Sequence, residues 1–272
     1  MEPHEQFSED DGAATQERVA AFFDVDNTLV RGASLYALAK KMHQRRFFRW
    51  REILFFALKQ TMFAARGEHL GDIDKIRDRA LTMVRRISVA DMEAIGEEIY
   101  DEFIATKLWA GTVSIAQQHM AVGREVWLVT ATPNEVASVI ARRLGLTGAL
   151  GTQVAQQDGQ YTGALEGPIL HAVQKAEAAR RLARERSISL SSSWAYSDSY
   201  NDIPLLEAVG HPVAINPDGR LRGYAKRCGW QVYDFRTGQR AARVGLRIAG
   251  VLGAIWAAKR SVTRRGNHHE EL

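Results

Sequence analysis

AAFFDVDNTLVRGAS, residues 20–34, governs how the rest of the chain is read. An apolar run stops at Asp24, and a second acid follows at Asp26. Residues 19–23 (VAAFF) have no polar face, the pattern of a strand covered on both sides of a parallel sheet. Open parallel sheets bind ligands outside the carboxyl ends of their strands. Two carboxylates at such an end are therefore candidate functional groups, and the question is what else reaches the same edge.

After Ser34 the apolar spacing turns helical. Leu35, Leu38, Met42, Phe47, Leu54, Leu58 and Met62 recur on one face, with no proline, to about Arg66. IDKIRDRALTMVRRI (73–87) and VADMEAIGEEIYDEFIATKL (89–108) predict two further helices, and 33–108 shows no convincing strand. From Gly123 strands and helices alternate. REVWLVT predicts a strand. TPNEVASVIARRLG predicts a helix opened by a Thr132–Glu135 capping box, with Pro133 at its first position and Gly145 at its end. A hairpin is expected around Asp158-Gly159. KAEAARRLARE, NDIPLLEAVG and DGRLRGYAKRCG predict helices; SSWAYSD, HPVAIN and WQVYDF predict strands.

This alternation predicts an α/β fold with a Rossmann-like parallel sheet, and an all-helical cap inserted after the first strand. The expected organisation is a disordered acidic tail (1–16), a core domain (17–32 and 109–236), a cap (33–108) and a C-terminal basic and apolar helix and tail (237–272).

Of 272 residues, 46% are hydrophobic and 25% charged, enough apolar material for a sizeable core and too much for general disorder. The net charge of +4 reads as a solvated basic surface, with no nucleic-acid partner expected. Cys228 is the only cysteine, so an intramolecular disulfide and a thiolate metal cluster are excluded. A reducing, cytoplasmic setting is expected. MEPHEQFSEDDGAATQ lacks the apolar centre of a signal peptide.

Three predicted strands end in polar groups: Asp24-Val25-Asp26-Asn27-Thr28, Thr130-Ala131-Thr132, and Ser197-Asp198-Ser199-Tyr200-Asn201-Asp202. Carboxylates gathered on one edge repel one another, so something positive belongs among them. Mg²⁺ suits such oxygen donors, and Lys175 adds a second positive charge. The chemistry indicated is phosphoryl transfer. Asp24 is the candidate nucleophile. Asp26 is the candidate general acid and base. Thr130 and Lys175 are candidates to hold the phosphoryl oxygens, aided by backbone N–H groups of the helix start after Thr130.

DVDNTL (24–29), the strand ending at Thr130, Lys175 and SDSYNDIPLLEAVG, in that order, resemble the four motifs of the haloacid dehalogenase-like hydrolase superfamily. The Gly-x-Ser after the first motif, LVTATP and DSYND-P-LL are similar to its phosphoserine-phosphatase-like branch. The resemblance covers roughly residues 19–235. It implies Asp24 as nucleophile, Asp26 as general acid/base, and Thr130, Lys175 and Asn201 as phosphate contacts. It also implies a Mg²⁺ site formed by Asp24, Asp26 (through its carbonyl), Asp198 and Asp202. The implied activity is a Mg²⁺-dependent phosphomonoester phosphatase acting through an aspartyl-phosphate on a small phosphorylated metabolite. The second acid favours phosphatase or phosphotransferase over dehalogenase, which has no leaving oxygen to protonate. The match departs at Ala33, where phosphoserine phosphatases carry a glutamate that helps hold the substrate amine. Phosphoserine phosphatase proper, a lipid-type phosphomonoester phosphatase at a membrane surface, and a phosphotransferase stand as alternatives.

Two segments bear on membranes. Lys40, Lys41, Arg45, Arg46, Arg49 and Arg51 interleave with Phe47, Phe48 and Trp50 in the cap. This is either an amphipathic cap helix with solvated cations or a basic, apolar surface for a lipid-like ester or anionic membrane. RAARVGLRIAGVLGAIWAAKR (240–260) is uninterruptedly apolar only from Ile248 to Ala258. That is shorter than the roughly 20 residues a spanning helix needs, so the segment reads as a helix packed on the core or lying peripherally on a membrane, with a tilted span as the alternative.

Overall fold

β1 (Ala20–Phe23) has all its residues buried and lies inside a six-stranded sheet, in a computed structural model that describes residues 17–47, 81, 84–85 and 87–236. The other strands are β2 (Glu125–Pro133), β3 (Gly148–Thr152), β4 (Val154–Gln157), β5 (Gln160–Leu165), β6 (Trp194–Ser197), β7 (His211–Ile215) and β8 (Gln231–Tyr233). The sheet order is β3-β2-β1-β6-β7-β8, and every pairing in it is parallel. Phe23 is level with Leu128 on one side and Tyr196 on the other. The strand order therefore reverses between β1 and β6, the kind of position where open sheets place their sites. β4 and β5 form a separate antiparallel hairpin. Its turn carries Asp158 and Gly159 at φ 52° and 75°, as the Asp-Gly pair predicts.

The uniform apolarity of β1 follows from its two covered faces. Ala21 and Phe23 join one hydrophobic cluster with Leu128, Ile95 and Ile140, whereas Ala20 and Phe22 join another with Ala179, Leu205 and Leu221. Among the described residues the bounded α-helices are α1 (Ser34–Gln44), α2 (Val89–Ile99), α3 (Ala110–Ala121), α4 (Asn134–Arg143), α5 (Val173–Arg186), α6 (Ile203–Leu206) and α7 (Gly219–Cys228).

The insertion after β1 leaves and re-enters through a paired stem. Val30 pairs with Leu108, Arg31 N–H donates to Lys107 O at 2.8 Å, and Trp109 N–H donates to Leu29 O at 2.9 Å. Ser88 caps α2 reciprocally with Asp91. α2 packs on α4 of the core: a Cβ at Gly96 would stand 3.2 Å from Val139 Cγ2. The insertion also touches the hairpin, where Ser88 bridges to Gln160 and Val89 N–H donates to Gly159 O at 3.0 Å.

Several expectations need correcting. The helix begun at Ser34 ends at Gln44 rather than near Arg66. Arg46 adopts φ 62°, its N–H donates to His43 O, and Phe47 N–H donates to Met42 O. These are the two bonds of a Schellman stop, made without the usual glycine. The Thr132–Glu135 capping box is absent, because β2 continues through Pro133, which itself occupies the N-cap position of α4. Thr132 bonds elsewhere, and buried Glu135 accepts from Gln156 Nε2 at 3.1 Å. NDIPLLEAVG is a 3₁₀ turn (Tyr200–Asp202) and the four-residue α6. At the end of α2 the chain winds as a π turn (Tyr100–Ile104) and a 3₁₀ turn (Ala105–Lys107).

Of the basic residues in the cap, Lys41 pairs with Glu98 and Glu102, and Arg45 pairs with Glu98. Lys40 and Arg46 are exposed. Arg49, Arg51, most of the predicted helix 73–87, the acidic tail 1–16 and the segment 237–272 lie outside the described residues. No helix among the described residues is long and apolar enough to cross a membrane.

Candidate functional site

Asp24 follows the last residue of β1, and its N–H is fixed by the Tyr196 carbonyl of β6 at 2.9 Å. The side chain is buried and both its oxygens are engaged. Oδ1 accepts from Lys175 Nζ at 2.6 Å, and Oδ2 accepts from Thr28 Oγ1 at 3.0 Å. Lys175 stands in the first turn of α5, an unfavourable place for a cation because the helix N-terminus is itself positive. Its ammonium is held there by two acids, since Nζ also donates to Asp202 Oδ2 at 2.7 Å. Asp202 Oδ2 accepts a further hydrogen bond from Ser197 Oγ, the last residue of β6, at 2.7 Å. Asp202 thus anchors the lysine. It occupies the N-cap position of α6 without a side-chain capping bond.

Asp198 follows β6 directly and accepts the Asp218 N–H with its backbone carbonyl. Burial, with the charges of Asp24 and Asp202 added, pushes its carboxyl up to about 7. Burial also raises Asp24, to about 6, although Lys175 pulls the other way. For Lys175, burial alone would favour the neutral amine; Asp24 and then Asp202 outweigh it, and the lysine stays charged. Asp26 is raised chiefly by burial, and its Oδ1 accepts the Ser34 N–H at 2.8 Å.

The two remaining expected positions stand differently. Thr130 is buried in β2, where its Oγ1 accepts the Thr132 N–H at 3.2 Å. Asn201 is exposed, and its backbone N–H donates to Ser199 Oγ. The helix start expected just after Thr130 lies at Asn134 instead.

Residues given no role in the site from the sequence also belong to this edge: Thr28, Ser34, Thr132 and Ser197 each bond a member of the group or its neighbour. Thr28 was legible as the last residue of D-x-D-x-T. Ser34 was legible as the serine of Gly-x-Ser, and Thr132 and Ser197 only as hydroxyls near strand ends.

Among the described residues, no three carboxylate, imidazole or thiolate side chains are grouped to enclose a metal ion. The donor chemistry nevertheless fits a hard divalent cation. Lys175 supplies one positive charge against Asp24, Asp198 and Asp202, and Asp24 and Asp198 are pushed toward neutrality by burial and by neighbouring carboxylates. Mg²⁺ characteristically takes one or two carboxylates and completes its shell with water and phosphate. Asp24, Asp198 and the Asp26 carbonyl could supply that partial set.

Two cavities lie elsewhere. One, of about 480 Å³, is lined by Trp194, His211 and Trp230 at the amino ends of β6 to β8. The other, of about 320 Å³, is lined by Val122, Trp194 and Tyr233 beside His119. That histidine accepts from Arg124 at Nδ1 (3.2 Å) and is 2.7 Å from Tyr196 OH at Nε2. Burial and then Arg124 push it down to about 4, so it stays neutral.

The model of a family described as haloacid dehalogenase-like hydrolase matches residues 21–207. The chain is 49% identical over 247 residues to "Phosphoserine phosphatase SerB1" of Mycobacterium tuberculosis, covering 90% of this chain and 80% of that protein. It is 29% identical to a "Histidinol-phosphatase" of Neisseria meningitidis, over 79% of this chain and 98% of the relative. A Bordetella pertussis protein described as of unknown function has a similar structure, with TM-score 0.71 and 32% identity over 80% of this chain and 99% of that one. A "Phospho-Aspartyl Intermediate Analogue of Phosphoserine phosphatase" shares the fold at TM-score 0.54 and 19% identity, over 81% of this chain and 95% of that one.

Proposed function

Because this chain belongs to the haloacid dehalogenase-like hydrolases, we propose that it is a phosphomonoester phosphatase working through an aspartyl-phosphate at Asp24. The observation that carries this reading is the buried contact of Asp24 with Lys175, itself braced by Asp202. A buried carboxylate in a fixed orientation, beside a cation able to offset phosphate charge, suits nucleophilic attack on phosphorus.

In the first half-reaction an Asp24 oxygen bonds to phosphorus as the bond from phosphorus to the alcohol oxygen breaks. Asp26 gives its proton to that departing oxygen. In the second half, Asp26 takes a proton from the attacking water, the bond from Asp24 to phosphorus breaks, and inorganic phosphate leaves. Burial of Asp26 favours the protonated form that the first step needs. With Ser34 N–H on Oδ1, the proton belongs on Oδ2. Lys175 and Thr28 hold the nucleophile in one orientation. Thr130 and Asn201 are assigned to the phosphoryl oxygens. Mg²⁺ would be held by Asp24, Asp198 and the Asp26 carbonyl, with Asp202 behind them; bound there, it neutralises phosphate charge.

The relatives' names point to phosphoserine and histidinol phosphate, both phosphomonoesters of primary amino alcohols. Such an ester is the first substrate class assigned. Its amine meets no carboxylate at position 33, where Ala33 is exposed at the N-cap of α1. A second class, amphiphilic phosphomonoesters, is favoured by exposed Leu35 and Tyr36 after Ser34, and by exposed Ile169 and Val173 before Lys175.

The deciding experiment is phosphate release from an aryl phosphate, amino-alcohol phosphates and alkyl phosphates, with Mg²⁺ and with EDTA. Wild type should require the metal. Asp24→Asn should lose turnover while keeping its circular dichroism, and Asp26→Asn should fall by about 10²–10⁴-fold. Full activity in Asp24→Asn would sink the mechanism.

A further inference from the structure

We infer that Ser34, held by Thr132, is a positioning residue for Asp26, so that the first turn of the insertion sets the geometry of leaving-group protonation. This rests on the reading of Asp26 as the acid.

Ser34 is the first residue of α1 and is fully buried. Helix starts leave backbone N–H groups without partners, and a side chain at the N-cap position usually supplies the acceptor. Here the N-cap is Ala33, which has no acceptor to give. The Ser34 N–H instead donates to Asp26 Oδ1 at 2.8 Å, so the carboxylate takes the place of a capping group. That bond and the positive end of α1 fix which oxygen of Asp26 is occupied and which is left for the proton.

The start of α1 is itself pinned. Ser34 Oγ lies 2.7 Å from Thr132 Oγ1, and Thr132 is likewise fully buried. Thr130 Oγ1 donates to Thr132 Oγ1 at 3.3 Å and accepts the Thr132 N–H. A line of hydroxyls thus runs from β2 through Thr132 and Ser34 to the acid, joining a core strand to the first turn of the insertion. Ser34 Oγ also faces Asp26 directly, so breaking the line at Thr132 leaves both Ser34 groups in place and frees only the turn that carries them.

Protonation matters most for esters whose alkoxide leaves poorly and least for nitrophenolate, so the two ester types separate acid positioning from everything else. Ser34→Ala, Thr132→Val, Thr132→Ser and the Ser34→Ala/Thr132→Val double variant should be assayed on p-nitrophenyl phosphate and on an alkyl phosphate, with Mg²⁺. Ser34→Ala and Thr132→Val should each lower kcat on the alkyl ester by about ten-fold, with nitrophenyl turnover within about two-fold and KM little changed. The double variant should lose no more than Ser34→Ala alone, because that substitution already removes the Ser34–Thr132 bond together with the hydroxyl's own contact to Asp26. Thr132→Ser keeps the hydroxyl and should retain alkyl turnover. Should Ser34→Ala fail to fold, the nearly isosteric Thr132→Val carries the test. Equal losses on both esters, a change confined to KM, or no loss would overturn the positioning role while leaving the phosphatase intact. A wild type inactive on every ester would overturn the phosphatase reading, and this one with it.

Discussion

Asp24 and Asp198 titrate upward for a shared reason: each is taken out of water next to other acids, with one lysine among them. An acid held up in the folded protein keeps its proton until the pH passes its raised value, and a cation must displace that proton to bind. Both groups, near 6 and 7, are protonated at pH 5 and ionised at pH 8. Mg²⁺ should therefore raise Tm little at pH 5 and fully near pH 8, the rise growing through the interval between. Melting curves with Mg²⁺ and with EDTA across that range check this. Taking the difference at each pH removes the contribution of His119, whose depressed value costs stability as the pH falls from its ordinary value of 6.5 toward 4. A Mg²⁺ effect independent of pH would place the cation elsewhere. Much of this edge is legible in the sequence alone. Acids at strand ends mark themselves by interrupting apolar runs. The pairing of Ser34 with Thr132 was not legible, because a serine at a helix start and a threonine near a strand end are ordinary. Only their 2.7 Å approach across 98 residues distinguishes them.

Elements carry the next level of constraint, most clearly where α2 of the insertion meets α4 of the core. Gly96 lets the two helices approach, because a Cβ there would press on Val139 Cγ2 at 3.2 Å and Val136 Cα at 3.4 Å. Gly96→Leu should overpack this contact and cost about 1–3 kcal/mol, seen as a drop of a few degrees in Tm. Glu97→Gln removes the pairing of that helix with Arg142 and Arg143 at a solvent-facing rim. It should cost less than about 1 kcal/mol. If the rim substitution were the costlier one, the contact would be held by charge rather than packing. Element types were readable from periodicity, but their ends were governed by local geometry that composition hides. Arg46 enters the left-handed region without being glycine, so the stop of α1 carried no signal. The 132–135 pattern looked like a capping box, yet strand pairing claimed those residues: Pro133 stays level with Thr152 of β3.

At the scale of the molecule, the alternation of strands and helices predicts parallel pairing but not which strands are neighbours. That depends on contacts between residues far apart in sequence, with β1 paired to β2 and to β6. Because β1 is bonded on both sides and covered on both faces, its amides should be the last to exchange with deuterium, and those of exposed edge strand β8 among the first. Native-state exchange read by mass spectrometry tests the order, and early exchange of Phe22 and Phe23 would contradict it. The same placement has a consequence for biosynthesis. VAAFF leaves the ribosome early, while its second neighbour ends at Ser197. At about 5–20 residues per second, that partner arrives roughly 10–35 s later. During that interval one side of an apolar strand, with Asp24 at its end, lacks its β6 partner, so the nascent protein is at its most aggregation-prone while that side of the sheet stays open.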